Sequence, residues 1–315
     1  MHDPLPRRPF GDTGLEVSAI GLGCWQLARA GWSTAERDEA LAIVHAALDV
    51  GCNFFDTAPG YGGGHSEELL GEVLSPLRRD VVICSKFGHS ARGETDFGVT
   101  AIRPSVEESL RRLRTDYLDI VLLHNPPLGL LDGRTALQYD ELEKLRDEGL
   151  IRAYGASLDW RNELDLLRET TASRAAEMLF NVFHQEPLPA FVAARDRGMG
   201  LVVKVPLDSG WLAGRYGPDH GFTDMRRRWT PAVRARRAVL LAKFAALVPD
   251  GTPLTQAALQ FALAQPGVST VIPGARSAAQ ARDNFAAARG RLAPEVVRAI
   301  ADLWATEIAG DPVPW

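Results

Sequence analysis

The chain has 315 residues, 46% hydrophobic and 24% charged, with 35 basic and 40 acidic side chains for a formal charge of −5. This gives no electrostatic case for binding nucleic acid or an anionic membrane surface. No apolar run approaches the roughly 18 residues of a membrane span. Cys24, Cys52 and Cys84 are far apart and form no CxxC or Cys/His metal spacing. They read as buried thiols of a reducing compartment. No apolar stretch follows the start, Met-His-Asp-Pro-Leu-Pro-Arg-Arg, so no signal peptide is expected. The composition predicts a cytoplasmic protein with no nucleic-acid or membrane partner and no metal.

In chain order, Gly11-Asp12-Thr13-Gly14 predicts a hairpin turn leading into a buried strand over 18–23. Ser33 with Glu36 resembles a capping box. Ala40, Ile43, Val44, Ala47 and Leu48 then fall at helical spacing, with Gly51 as the C-terminal stop. Cys52 to Asp56 is a short apolar run ending at a carboxylate, and Pro59-Gly60 turns the chain before Tyr61. The alternation continues with a helix over 65–77 and a strand over 80–86, ending at Lys86. Pro104 is taken as a helix start, and the strand over 117–124 ends at His124. A helix over 136–148, a strand over 150–157 ending at Ser157, and a helix over 159–170 follow. Next come a strand over 177–181, a helix over 189–197 and a strand over 201–205. A polar connection holding Arg226-Arg227-Arg228 reads as a solvated loop. Thr230-Pro231 and Thr252-Pro253 place proline at the first helical position. The last strand spans 269–272, and Ser277 and Pro294 open helices.

Eight strand-like runs, each followed by helix, mean parallel strands with helical crossovers. The predicted fold class is α/β: one domain over 1–315, a (β/α)8 TIM barrel with an N-terminal β-hairpin and extra C-terminal helices. A doubly wound sheet is the alternative, but Gly21-Leu22-Gly23-Cys24-Trp25-Gln26 lacks the third glycine of a dinucleotide fingerprint.

A barrel brings Asp56, Tyr61, Lys86 and His124 to its C-terminal mouth. Singly, each is ordinary: a turn aspartate, a packed loop tyrosine, a solvated lysine, a structural histidine. Jointly they form a proton donor. Tyrosine ordinarily titrates near 10, and a nearby ammonium lowers that value. Asp56 would hold Lys86, Tyr61 would act as general acid toward a developing alkoxide, and neutral His124 would orient the carbonyl. Such a group supplies no hydride, so it requires a redox cofactor. A second site is expected at Ile272-Pro273-Gly274-Ala275-Arg276-Ser277. There, free N–H groups at a helix start and the Arg276 fork suit a phosphate, with Gln280 and Asn284 on the same helical face.

These residues resemble the aldo-keto reductase family across nearly the whole chain. The matching motifs are Phe55-Asp56-Thr57-Ala58 through Tyr61-Gly62, Ser85-Lys86, and Leu110 through Tyr117-Leu118-Asp119 to His124. Gly155-Ala156-Ser157, Phe180-Asn181, Pro206-Leu207 with Gly210-Trp211-Leu212, and Pro273-Gly274-Ala275-Arg276 with Gln280 and Asn284 complete the match. The resemblance implies a barrel that binds NADPH/NADP+, or NADH as the alternative, without a Rossmann fold. It implies reduction of an aldehyde, ketone or sugar, or the reverse oxidation, by a monomer or small homo-oligomer. It would place Ser157 on the nicotinamide carboxamide and Pro206, Leu207, Ser209, Gly210 and Leu212 beside the pyrophosphate. Gly274, Arg276, Gln280 and Asn284 would hold the adenosine end, with Arg276 reading the 2′-phosphate. The loop after strand seven would fold over the pyrophosphate as an alternative to solvation. The chain departs from the family at Leu158 (often asparagine), Glu177 (usually glutamine) and Lys204-Val205 (often an aromatic before Pro206). The family also contains potassium-channel β subunits, so an NADPH-binding regulatory or scaffold barrel is the alternative function.

Overall fold

The computed structural model describes residues 4–27 and 34–314. Ser33 of the expected capping box and the terminal Trp315 lie outside the described residues. An antiparallel hairpin, β1 (Arg7–Pro9) and β2 (Glu16–Ser18), precedes eight parallel strands. These are β3 (Leu22–Gly23), β4 (Phe54–Asp56), β5 (Val82–Phe87), β6 (Leu118–His124), β7 (Ile151–Leu158), β8 (Ala175–Leu179), β9 (Gly200–Lys204) and β10 (Val268–Val271). Each pairs with its neighbours in sequence order. Parallel bridges Ile20–Val271 and Gly23–Gly274 join the last strand to the first, with Gly21 N donating to Val271 O at 2.9 Å. The sheet is therefore closed into the expected barrel.

Helices surround it: α1 (Thr34–Asp49), α2 (His65–Leu74), α3 (Val99–Leu113), α4 (Gln138–Asp147), α5 (Arg161–Thr170), α6 (Leu188–Asp196), α7 (Pro231–Leu247), α8 (Leu254–Leu263), α9 (Ala278–Ala286) and α10 (Pro294–Leu303). Two prolines sit differently from their sequence reading. Pro104 lies inside α3, which starts at Val99. The buried Ile102 anchors the first turn and Pro104 sits on the exposed face, so packing outweighs the hydrogen bond a mid-helix proline forfeits. Pro253 is the N-cap of α8 rather than its first residue, whereas Pro231 opens α7 as expected and Thr230 caps it through its side chain.

The barrel interior explains why the site is where it is. Phe54, Val82, Cys84, Ile120, Leu122, Ala153, Ala175 and Val202 form one buried cluster inside the strands. Phe10, Leu15 and Val17 of the hairpin belong to the same cluster, so the hairpin plugs the N-terminal end. Close approach of β7 and β8 requires Gly155: a Cβ there would lie 1.7 Å from Ala175 O. Side chains alternate along a strand. Two residues beyond each inward apolar residue, the same face carries a polar one: Asp56, Lys86, His124, Glu177 and Lys204. Ser157 continues the inward row of Ala153 and Gly155. Six adjacent strands thus end in one polar layer on an apolar floor, at the C-terminal edge where barrels place their chemistry.

Candidate active site

Strand register sets the layer's order. His124 of β6 pairs with Ser157 of β7, and Ser157 pairs with Glu177 of β8. Lys86 is fully buried and donates to both Asp56 oxygens at 2.6 and 2.7 Å and to Thr57 O at 3.1 Å. Its Nζ also lies 3.2 Å from Glu177 Oε2. Burial alone would pull the ammonium down, but Asp56 and Glu177 outweigh it and hold Lys86 well above its usual range. Asp56 is pushed up by burial and by the Glu177 charge, against Lys86. Burial acts the same way on Glu177, but Lys86 and Lys204 hold it below the usual carboxylate range.

Tyr61 follows β4 on a short 3-10 turn (Tyr61–Gly64). Its ring centroid is 5.3 Å from Lys86 Nζ and 5.9 Å from the His124 ring, edge-on. The structure therefore brings together all four residues expected from the sequence. One expectation is corrected. Lys86 does pull the Tyr61 phenol down, but burial pushes it further up, so the net shift is upward. Asp56 and Glu177 add smaller upward contributions. The phenol is therefore protonated at neutral pH. Burial and then Lys86 lower His124 to about 3, so the imidazole is neutral. Its Nδ1 is buried without a hydrogen-bond partner.

Two members of the layer were not assigned catalytic roles from sequence: Glu177 and Lys204. Glu177 Oε1 accepts from Ser157 Oγ at 2.8 Å. Lys204 Nζ donates to Ser157 Oγ at 2.8 Å and to Asn125 Oδ1 at 2.9 Å, and pairs with Asp159 Oδ1 at 2.9 Å. The signal that would have found them is strand parity, since each sits two residues beyond an inward apolar residue. Asp56, Cys84 and Glu177 offer ligand atoms within 4.8 Å of one another, but the cation between the two acids is the Lys86 ammonium. All three cysteines are free and buried, and burial pushes Cys52 up to about 11.

The loop after β9 is strained. Val205, Asp208 and Ser209 have φ of +53°, +45° and +53°. For a β-branched residue before proline such a φ costs on the order of 1–3 kcal/mol. Asn181 Nδ2 and Asp208 N, both donating to Val205 O at 3.1 Å, hold the turn. A buried pair, Arg237 Nε to Asp208 Oδ2 at 2.8 Å, anchors it from α7. Pro206 is buried, Leu207, Ser209 and Gly210 are half-buried, and the Leu212 side chain is wholly in the core.

The reading of the arginine triplet as a solvated loop is corrected for Arg226, which is buried. It donates to Ser209 O at 3.1 Å and Tyr216 Oη at 2.5 Å and pairs with Asp224. Asp224 Oδ2 is in turn 3.9 Å from Arg276 Nη2. The loop is thus folded back against the Ser209 segment and reaches the last strand's turn.

At that turn a Cβ on Gly274 would lie 1.8 Å from the end of the exposed Gln26 side chain, which would have to swing away. The helix start is less open than the sequence suggested. Ser277 Oγ accepts from Gln280 N, Glu39 Oε1 accepts from Ala278 N, and Gln280 Oε1 accepts from Arg276 N. Asn284 Nδ2 donates to Gly274 O at 3.2 Å. Gln280 and Asn284 therefore brace the turn. The half-exposed Arg276 guanidinium, rather than a row of free N–H groups, is the group suited to a phosphate. This donor set is chemically compatible with a phosphate group.

The family model "Aldo/keto reductase family" matches residues 19–305. An L-galactose dehydrogenase from Arabidopsis thaliana is 32% identical over 288 residues, covering 89% of this chain and 87% of that protein. A probable voltage-gated potassium channel subunit beta from the same plant is 29% identical over 308 residues, covering 88% and 89%. An aldo-keto reductase from Bacillus halodurans, solved in its holo form, superposes with a TM-score of 0.81 at 29% identity, covering 95% and 96%. Among the described residues no helix is long and apolar enough to cross a membrane.

Proposed function

The chain belongs to the aldo-keto reductase family, and we propose that it is an NADP(H)-dependent oxidoreductase acting between a carbonyl and its alcohol, with Tyr61 as general acid and base. The observation that carries this reading is the buried Asp56–Lys86 pair beside Tyr61 and a neutral His124. A bound nicotinamide would supply or accept the hydride. In reduction, Tyr61 gives its phenolic proton to the carbonyl oxygen as charge develops there. His124 hydrogen-bonds the same oxygen and fixes the carbonyl's orientation. Lys86 stabilises the phenolate left behind, and Asp56 holds Lys86 in place.

For the cofactor, Ser157 would meet the carboxamide, and Pro206, Leu207, Ser209, Gly210 and Leu212 would flank the pyrophosphate. Gly274 and Arg276 would receive the adenosine phosphate, on a turn braced by Gln280 and Asn284. The loop carrying Arg226 would cover the pyrophosphate. NADH is the alternative nicotinamide. Aldehydes, ketones and sugars are the substrate classes. Sugars gain support from the printed name of the Arabidopsis relative and from Trp25 and Trp160. These half-exposed indoles follow β3 and β7 at the mouth and suit the apolar faces of a pyranose.

The similarity to a potassium-channel β subunit favours a second reading, a regulatory barrel that binds NADPH with little turnover. Purified protein, NADPH or NADP+, and a panel of aldehydes, ketones and sugars followed at the nicotinamide absorbance separate the two. Turnover supports the enzyme. NADPH binding without turnover on any of them supports the regulatory barrel.

A further inference from the structure

The loop after β5 brings a second histidine, His89, beside His124. Residues 88–96 fold back on themselves. His89 and Thr95 form an antiparallel bridge, Asp96 N donates to Gly88 O at 2.9 Å, and Ser90 N donates to Glu94 O at 2.8 Å. Gly88 makes the fold-back possible: its φ is +118°, and a Cβ there would lie 2.1 Å from the Phe97 ring. A loop tied by its own bonds presents its side chains in a fixed direction.

The His89 ring is held from several sides. Nδ1 lies 2.9 Å from Thr95 Oγ1. The Phe97 ring meets it edge-on with centroids 5.5 Å apart, and the His124 ring does so at 5.1 Å. The backbone oxygen of His89 lies against the turn that delivers Tyr61, since a Cβ on Gly60 would be 3.5 Å from it. Tyr61 and His89 therefore both flank His124, with ring centroids 5.9 and 5.1 Å away. His89 is half-buried, and among the described residues nothing bonds its Nε2. That nitrogen is the one left for a ligand.

The chemistry of the position narrows what the ligand group is. The Thr95 hydroxyl can donate to Nδ1 or accept from it, so Nε2 is a donor in one tautomer and an acceptor in the other. A hydroxyl answers either. A carbonyl oxygen has two lone pairs, and Tyr61 and His124 already claim them. His89, one ring further along, reaches instead for an oxygen on the adjoining carbon. We infer that His89 is a specificity-determining residue whose Nε2 binds a hydroxyl on the carbon next to the reacting carbonyl, so that the site favours α-hydroxy aldehydes and ketones over their plain counterparts. The inference deepens the proposed function and rests on Tyr61 and His124 holding the carbonyl oxygen.

Hydroxyacetone and butanone provide the test, because they differ only in a hydroxyl or a methyl on the carbon beside the carbonyl. His89→Phe keeps a ring against Phe97 and His124 and removes Nε2. An α-hydroxyl also activates a carbonyl by itself, so the quantity to compare is the ratio of kcat/KM for the two ketones in each protein, in which that effect cancels. The ratio should fall about three- to tenfold in His89→Phe, the worth of one neutral hydrogen bond, through hydroxyacetone alone. An unchanged ratio, or an equal loss on both ketones, would mark His89 as merely structural and overturn the inference. A second readout needs neither a variant nor turnover. With NADP+ present, so that no reduction occurs, the 15N resonances of the His89 imidazole in the wild-type protein should move on adding hydroxyacetone and not on adding butanone. The same response to both, or to neither, overturns the inference. If no carbonyl is turned over but His89 still responds to hydroxyacetone, the proposed enzyme activity fails and the hydroxyl site stands. If both ketones are reduced and the ratio survives His89→Phe, the activity stands and the hydroxyl site fails.

Discussion

Replacing Lys86 by methionine probes the electrostatics of the layer. The side chain is fully buried, and its ammonium is the shared partner of two buried acids. Methionine fills the volume of the stem but leaves Asp56 without a cation and Glu177 with only the Lys204 charge. Breaking a buried ion pair from one side costs about 3–5 kcal/mol. At roughly 2–4 °C per kcal/mol in a large domain, that corresponds to a drop in Tm of about 10 °C. The pH dependence carries the sign. Asp56 is already pushed up by burial and Glu177, and without Lys86 it rises further. A carboxyl with a raised folded-state pKa contributes stability that is fully present below its unfolded value and is lost as pH rises through the folded one. The deficit of Lys86→Met should therefore be small near about pH 5 and full near about pH 8, by scanning calorimetry against wild type at both. A deficit independent of pH, or one that grows toward acid, would refute the placement of two acids on one ammonium.

Two further outcomes follow from the site. His124 is lowered to about 3 by burial and Lys86, so NMR of labelled imidazole should show it neutral throughout the neutral range; a midpoint near its ordinary value of about 6.5 would contradict this. Arg276→Ala should weaken NADPH more than NADH by roughly tenfold, the scale of one charge-assisted contact, in fluorescence titrations. An equal loss for both would remove Arg276 from the 2′-phosphate.

Much of this was legible in the chain because each signal was local. Alternating apolar runs and helix-spaced stretches gave the eight units, and turn residues gave the hairpin. Asp56, Lys86 and His124 each ended a run. Residues whose roles depend on register were harder to read. Glu177 appeared only as a departure from glutamine, and Lys204 only as a departure from an aromatic. Nothing in the linear sequence aligns His124, Ser157 and Glu177 across three strands. The upward shift of Tyr61 is likewise invisible in the sequence, since it comes chiefly from burial in the fold. Arg226 looked solvated among three arginines. Its burial comes from tertiary partners, Ser209 O, Tyr216 and Asp224, that no short window reveals. Pro104 shows the converse, a strong local signal overridden by packing at Ile102.

The central claim is that Tyr61 is the proton donor of a carbonyl-reducing site, and Tyr61→Phe tests it most directly. The variant removes one oxygen and leaves the ring beside His124 and Lys86. Carbonyl reduction should fall by about 10²–10⁴ in kcat, the contribution of a positioned general acid, while NADPH binds as tightly as to wild type. Undiminished reduction by Tyr61→Phe would contradict the account.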